Sequence, residues 1–268
     1  MNLNKMQEKY LQGIYYRKSS FSNKKKTLIL IHGLSSSSSA WFPYEKELIK
    51  RYNILSLDLR GHGKSIRPKK YRDYKIHYSA KDIYDIIKKE KISRFTFVSH
   101  SFANFVTLEF LREYPDLADS VIFVSPDYAP GKRFLNWLVG KLLILTQIAD
   151  YFPNKKYGGH TNYEHYVGTS DYSIRRNFQE ITNTGLKSYF YFLRRSCNFN
   201  AEDFLPKINI PVLIIHGDKD TIIPISCSIK MAEEIKNSRL SIVKGADHLI
   251  VLNWEKRLIK EINSFMKR

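Results

Sequence analysis

Short hydrophobic runs alternate along the chain with stretches whose apolar residues recur at helical spacing. The runs predict strands at 27–31, 53–59, 94–98, 120–124, 211–215 and 240–243. Residues 10–17 predict a further, antiparallel strand at the edge of the sheet. Near-continuous apolar strands are expected where a sheet is covered on both faces. The alternation therefore predicts a mainly parallel sheet with helices on both sides.

Helices are predicted between these strands. One opens near Ser79, a possible N-cap, and places Ile83, Ile86 and Ile87 on one face. Others are predicted at 101–114, ending before Pro115, and at 225–236 and 253–267.

Residues 131–207 interrupt this rhythm because they contain no convincing strand. They are rich in aromatic residues, which include Trp137, Tyr151, Phe152, Tyr157, Tyr163, Tyr166, Phe178, Tyr189, Phe190, Tyr191 and Phe192. So long an interval between two core strands is not a plain loop in a compact domain. We expect a helical lid subdomain at 131–207, lying over the carboxyl edge of a core formed by 1–130 and 208–268.

The composition is that of an ordinary globular protein. Hydrophobic residues make up 43% and charged residues 26% of the 268 residues, which excludes a disordered chain, a collagen and a coiled coil. The net charge of +18 is spread along the chain and indicates a solvated basic surface. No zinc-finger, basic-zipper or RNA-recognition motif occurs, so we expect no nucleic-acid partner.

Two cysteines, Cys197 and Cys227, are too few for a disulfide framework and lack metal-ligand spacing. The N-terminus carries no apolar signal segment. The most apolar longer stretch, 134–148, is interrupted by polar residues and falls short of the ~20 residues of a membrane span. We therefore expect a cytoplasmic protein without stable membrane insertion, and peripheral membrane contact stays open.

The chemistry lies in the residues that follow the strands. Strand 94–98 continues into Ser99-His100-Ser101-Phe102-Ala103 and then a helix, which is a degenerate nucleophile-elbow pattern with Ser99 and Ala103 in place of glycines. Strand 211–215 is followed by Asp218 and Asp220, and strand 240–243 by His248. A serine, an acid and a histidine thus follow three strands in that order.

This arrangement resembles the α/β-hydrolase superfamily, specifically its lidded serine hydrolases of the carboxylesterase and lipase type. The segments His32-Gly33-Leu34 and 58–65 also match the family, and the resemblance covers nearly the whole chain. It implies the α/β-hydrolase fold: a mostly parallel eight-stranded sheet whose first strands are antiparallel, with helices on both faces and a lid after the sixth strand.

The resemblance also implies roles for single residues. Ser101 would be the nucleophile, His248 the base that takes its proton, and Asp220 the carboxylate that orients the imidazole. Asp220 fits the family spacing between Gly217 and Pro224 better than Asp218 does. Asp127, after strand 120–124, is a third candidate acid because some members draw their acid from that position.

The backbone N–H groups of Leu34 and Phe102 would bind the oxyanion of the tetrahedral intermediate. Gly33 would let the chain pass close to the substrate. We expect Gly33, the side chains of Leu34 and Phe102, and Trp137 from the lid to contact substrate.

No metal or organic cofactor is implied. His160 and His165 have no acidic or cysteine partner at ligand spacing. His32 and His62 are interpreted as structural, and His100 as a packing or solvent-facing residue.

These features predict a serine hydrolase that cleaves a small-molecule ester with apolar acyl or alcohol parts, in a pocket otherwise free of charge. Carbon–carbon bond hydrolysis of a vinylogous diketone, acyl transfer and a monoacylglycerol-type lipase remain alternatives on the same triad. A ligand-binding receptor with this fold is the non-enzymatic alternative. Serine at the elbow disfavours an aspartate-nucleophile dehalogenase or epoxide hydrolase. The sequence leaves the oligomeric state open.

Overall fold

The computed structural model describes residues 5–155 and 158–267. Tyr157, one of the aromatic residues noted above, and Met1–Asn4 lie outside the described residues. The core is one eight-stranded sheet in the order β1-β2-β4-β3-β5-β6-β7-β8. Its strands are β1 Gln7–Leu11, β2 Ile14–Lys18, β3 Thr27–Ile31, β4 Asn53–Leu57, β5 Phe95–His100, β6 Ala118–Val124, β7 Val212–Gly217 and β8 Ser238–Val243. β1 pairs antiparallel with β2, and β2 pairs antiparallel with β4. All pairs among the strands β3 to β8 are parallel.

The helices cover both faces of this sheet. Their bounds are α1 Phe42–Leu48, α2 Ile76–Lys89, α3 Ala103–Glu113, α4 Phe134–Thr146, α5 Ile174–Thr184, α6 Leu186–Cys197, α7 Ile225–Glu234, α8 Ile250–Asn253 and α9 Glu255–Met266. Ile29 and Ile31 of β3 pack with α2 and α3 on one face, whereas Leu28 and Leu30 pack with α1 and α9 on the other. The period of two puts alternate apolar residues into two separate cores, which explains why the central strands are hydrophobic throughout.

Two local predictions are wrong. The predicted strand 10–17 is a hairpin, because Gln12 and Gly13 have φ of 48° and 81° and turn the chain between β1 and β2. Ser79 does not cap α2, which begins at Ile76 after Lys75. Ser79 is instead buried inside the helix, since α2 packs its first turn on the core through Ile76. The other predicted strands and helices are confirmed to within two residues at each end.

The chain between β6 and β7 contains α4, α5 and α6, and no strand occurs among its described residues. We call this segment, 131–207, the insertion. α6 attaches it to the core, because Phe192 is fully buried against Tyr74 and the Tyr74 hydroxyl lies 2.8 Å from Ser188 Oγ. Among residues 5–155 and 158–267, no helix is long and apolar enough to cross a membrane.

Candidate active site

The turn after β5 presents Ser101 at the carboxyl edge of the sheet. Ser101 has φ of 54°, a conformation that L residues rarely adopt, and its backbone N–H donates to the carbonyl of Val124 at 3.0 Å. Small side chains let the turn form without glycine. Ser99 is fully buried and donates to Asn104 Oδ1 at 2.8 Å, and Ala103 is fully buried as well. The turn therefore keeps its sharp geometry despite the two missing glycines.

His248 lies between the other two predicted triad residues. Its Nε2 is 2.9 Å from Ser101 Oγ, and its Nδ1 is 2.8 Å from Asp220 Oδ2. The two distances are in the range of hydrogen bonds, with the serine hydroxyl donating to Nε2 and Nδ1–H donating to the carboxylate. The structure thus joins hydroxyl, imidazole and carboxylate in one chain of hydrogen bonds.

Asp220 is the acid that reaches His248. Its other oxygen, Oδ1, accepts hydrogen bonds from the backbone N–H groups of Ile222 at 2.9 Å and Ile223 at 2.8 Å. Burial alone would raise the pKa of Asp220, but the hydrogen bonds from His248 and Ile223 outweigh it and lower the pKa to about 2. Asp220 is therefore ionised in the folded protein at neutral pH.

The two alternative acids have other partners. Asp218 Oδ1 accepts the backbone N–H of Gly245 at 2.6 Å, and Asp127 pairs with Arg133. His216 helps to hold Asp220 in place. Its Nε2–H donates to the Ile223 carbonyl at 3.0 Å and thus fixes the loop that carries Asp220.

The loop after β3 passes close to Ser101. A Cβ added to Gly33 would lie 3.3 Å from Ser101 Cβ, closer than nearly all real Cβ contacts. His32 Nε2 accepts the backbone N–H of Leu59 at 3.0 Å, so its Nδ1 carries the proton and donates to the Gly33 carbonyl at 2.8 Å. That carbonyl and the Leu34 N–H belong to one planar peptide unit. His32 therefore sets the direction of the predicted oxyanion donor.

His100 packs against His248. Its ring lies 5.0 Å from that of His248, and its Nε2–H donates to the backbone carbonyl of His248 at 3.0 Å. Burial, reinforced by the nearby His248, lowers the pKa of His100 to about 3, so the ring is neutral. These contacts agree with His100 as a packing residue, and part of its surface also lines the cavity beside Ser101.

A cavity of about 370 Å³ opens beside Ser101 and His248. It lies between the core and the insertion, and most of its wall is apolar. Its nonpolar and aromatic lining residues are Leu34, Ala40, Trp41, Tyr163, Ile181, Tyr189, Ile222, Leu249, Val251 and Leu252. Gly33 and Leu34 contribute as expected from the sequence.

Two residues expected to contact substrate lie elsewhere. The Phe102 side chain points into the core, where it packs against His62 and Phe192, and it does not line the cavity. Trp137 is on α4, stacks on Phe134 with 47% of its surface exposed, and does not line the cavity. The aromatic pattern of the insertion gave no means of telling exposed rings from cavity-lining ones.

Comparison with known families matches residues 26–253 to the model of the alpha/beta hydrolase fold. The chain belongs to the α/β-hydrolase family.

Relatives of this α/β-hydrolase are distant. An uncharacterized protein of Mycobacterium tuberculosis is 23% identical over 89% of this chain and 74% of its own length. The Arabidopsis thaliana protein named probable lysophospholipase BODYGUARD 1 is 24% identical over 90% of this chain, which spans 59% of that protein. The crystal structure of an esterase from Exiguobacterium antarcticum has a TM-score of 0.75 at 19% identity, covering 95% of this chain and 96% of its own. This structural likeness shows the fold.

This member of the α/β-hydrolase family also places charged side chains on the cavity wall, contrary to the expected pocket without charge. Arg176 and Glu180 of α5 form a buried ion pair at 2.7 Å, and the Tyr163 hydroxyl donates to Glu180 at 2.8 Å. Burial raises the pKa of Glu180, and Arg176 opposes that rise. Sequence reasoning missed this group, although its one signal was an i, i+4 pair of opposite charge inside an aromatic-rich segment.

Among the described residues, one group has metal-ligand spacing. His77, Glu109 and Glu113 bring their ligand atoms within 4.8 Å of one another on α2 and α3. None of the three lines the cavity beside Ser101. His160 instead donates to the buried carboxylate of Asp58 at 2.8 Å, a contact that sequence spacing did not suggest.

Proposed function

We propose that this α/β-hydrolase is a serine hydrolase that cleaves carboxylic esters through an acyl-enzyme intermediate. The observation that carries the proposal is the simultaneous contact of His248 with Ser101 at 2.9 Å and with Asp220 at 2.8 Å beside the cavity. A serine hydroxyl becomes a useful nucleophile only when a base takes its proton, and this geometry supplies the base.

The reaction would follow from these contacts. Ser101 Oγ attacks the ester carbonyl carbon while its proton passes to His248 Nε2, and the carbonyl oxygen becomes an oxyanion held by the N–H groups of Leu34 and Phe102. The bond to the alcohol oxygen then breaks, and His248 returns the proton to that oxygen. A water molecule, deprotonated by His248, releases the acid and restores Ser101. Asp220 stays ionised throughout and stabilises the imidazolium.

The cavity wall favours an uncharged ester with apolar parts. Leu34, Trp41 and Ile181 offer nonpolar surface, and the charges of Arg176 and Glu180 neutralise each other. Asp171 also lines the cavity, and its carboxylate accepts hydrogen bonds from the backbone N–H and the hydroxyl of Thr221. A volume of about 370 Å³ suits a small molecule, since ligand pockets commonly span roughly 300–1,000 Å³. The names of the Exiguobacterium esterase and the Arabidopsis relative agree with ester chemistry.

Hydrolysis of p-nitrophenyl esters of increasing acyl length tests the proposal. We expect Ser101→Ala to lower kcat by at least ~1,000-fold, because the nucleophile is lost. Ser93→Ala, an exposed serine at the opposite end of β5, should leave kcat unchanged. Wild-type activity in Ser101→Ala, with an unaltered circular dichroism spectrum, would overturn the proposal.

Labelling with a fluorophosphonate probe separates an enzyme from a receptor of the same fold. The probe should modify the wild type and Ser93→Ala but not Ser101→Ala. An unlabelled wild type would favour a ligand-binding protein. Product analysis with a ring-cleavage diketone and with an added alcohol would show whether carbon–carbon cleavage or acyl transfer replaces ester hydrolysis.

A further inference from the structure

Helix α4 of the insertion exposes its apolar side to solvent. Six large apolar side chains of this helix are exposed, with Leu145 at 80% and Phe134 at 75%; the others are Leu135, Trp137, Leu138 and Leu142. At about 100° per residue these six positions cover about 160° of the helix circumference. The residues that α4 does bury, Gly140 and Leu143, lie on the opposite side. We call the six exposed residues the α4 face.

The α4 face is joined firmly to the rest of the molecule. A Cβ added to Gly140 would lie 2.9 Å from Cys197 Cβ, so α4 packs closely on α6. α6 in turn carries Tyr189, which lines the cavity beside Ser101. A large exposed apolar patch on a soluble fold marks an interaction surface.

The charges around the α4 face select its partner. The segment 131–149 contains no acidic residue, and the whole chain carries a net charge of +18. Lys132 pairs with Glu202 and Arg133 with Asp127, whereas Lys141 has no ion-pair partner among residues 5–155 and 158–267. Lys141 lies within the apolar arc, with its Nζ 5.9 Å from the centre of the Trp137 ring. An apolar protein surface packed on this face would bury the Lys141 ammonium group without a partner, at a high cost. At a lipid surface its stem can lie along the apolar face while the ammonium reaches a headgroup phosphate.

We propose that the α4 face docks on the surface of an anionic phospholipid bilayer. The helix has 13 residues and is about 20 Å long at 1.5 Å per residue, which suits a position in the plane of the interface. The Trp137 ring is amphipathic and belongs at the boundary between headgroups and acyl chains. Docking in this way brings the insertion, and with it one wall of the cavity, to the membrane. The docking itself does not require that the site hydrolyse esters.

Co-sedimentation with vesicles tests the proposal on the full chain. We expect the wild type to bind vesicles of 70% phosphatidylcholine and 30% phosphatidylglycerol at least tenfold more tightly than pure phosphatidylcholine vesicles, and to be released by 0.5 M NaCl. The double variant Leu138→Glu/Leu145→Glu should bind the anionic vesicles at least tenfold more weakly. The matched control Ile229→Glu/Ile242→Glu adds the same charge at two exposed isoleucines of α7 and β8 and should bind as the wild type does.

Three results would overturn the proposal. The wild type would fail to bind anionic vesicles, or the α4 double variant would bind as well as the wild type with an unchanged circular dichroism spectrum. In the third result, the wild type is a dimer in size-exclusion chromatography, the α4 double variant is a monomer, and neither binds vesicles. The α4 face would then be a contact between two copies of the chain. Because binding is measured without substrate, its failure is distinguishable from failure of the esterase proposal.

Discussion

At the scale of single residues, the space between Gly33 and Ser101 is the tightest constraint on the site. In Gly33→Ala the new Cβ would lie 3.3 Å from Ser101 Cβ and 3.2 Å from His100 Nδ1, so the loop or the nucleophile must move by a few tenths of an ångström. A small misplacement of reacting groups is costly to catalysis. We expect kcat for a p-nitrophenyl ester to fall by at least ~10-fold, with the free energy of unfolding changed by less than ~1 kcal/mol.

Gly159→Ala is the matched control for this prediction. An added Cβ at Gly159 has no neighbouring atom within 4 Å, so kcat and stability should both stay at the wild-type values. If Gly33→Ala retained the full kcat, the close approach of this loop to Ser101 would have no catalytic importance.

The sequence predicted the three triad residues because each follows the end of a parallel strand, and the carboxyl ends of such strands meet at one edge. The sequence did not predict the group of side chains on the cavity wall formed by Arg176, Glu180 and Tyr163. Their contacts join α5 to a 3-10 turn within the insertion, where neither strand order nor a turn pattern fixes which side chains meet. Trp137 was misplaced for the same reason: a pattern of aromatic residues does not show which face of a helix is covered.

At the scale of elements, the insertion contacts both loops that shape the site. Tyr163 lies 2.7 Å from Ser36 Oγ, and Thr184 donates to the Ser35 carbonyl at 3.0 Å, so the insertion contacts the loop that carries Leu34. At the other side Asp171 accepts the Thr221 hydroxyl at 2.7 Å, next to Asp220. The position of the insertion is therefore coupled to the positions of the loop that carries Leu34 and the loop that carries Asp220.

Tyr163→Phe tests this coupling. The change removes the bond to Ser36 and leaves the buried Glu180 carboxylate with one donor fewer, so we expect stability to fall by about 1–3 kcal/mol. Because the Ser36 contact helps to hold the Leu34 loop, kcat should also fall several-fold while KM changes less. Tyr172→Phe, at an exposed tyrosine of the same segment, should alter neither value. A stability loss with an unchanged kcat would show a purely structural role, which urea unfolding and steady-state kinetics together can detect.

The strands β3 to β8 were predictable to within two residues, since burial on both faces of the sheet makes each strand a continuous apolar run. The hairpin β1–β2 was not, because its strands are partly exposed and lack such a run. Its turn at Gln12 and Gly13 was the available signal, since glycine readily adopts positive φ.

At the scale of the whole molecule, buried carboxylates make the fold dependent on pH. Asp58 is fully buried and accepts hydrogen bonds from His160 and from the backbone N–H groups of Ser38 and Lys64. Burial alone would raise the pKa of Asp58, but these donors outweigh it and lower the pKa to about 2. The pKa of Asp220 is lowered to about 2 in the same manner.

These shifts predict acid sensitivity with a defined sign. A carboxyl group whose pKa is lower in the folded state than in the unfolded state stabilises the fold above its unfolded pKa of ~4, and that stabilisation disappears as the pH falls towards 2. A shift of this size contributes about 2 kcal/mol for a buried group. We expect the free energy of unfolding, measured with urea, to be steady above pH ~5 and to fall steeply between pH 4 and 2. Two causes act together: the stabilisation by Asp58 and Asp220 is lost, and repulsion within a chain of net charge +18 increases as carboxylates are protonated.

Asp58→Asn separates the contribution of one carboxylate from this general repulsion. The amide oxygen of the variant is neutral and is therefore a weaker acceptor for His160 than the carboxylate. At pH 6 the free energy of unfolding of the variant should be lower than that of the wild type by at least ~2 kcal/mol. Near pH 2 the wild type has itself lost most of the advantage, and the difference should shrink. Asp203→Asn, at an exposed carboxylate, should follow the wild-type profile. The free energy of unfolding of Asp58→Asn could instead run parallel to that of the wild type over the whole pH range. That result would mean that this buried carboxylate does not titrate during acid unfolding, and that repulsion between surface charges is the main cause of acid unfolding.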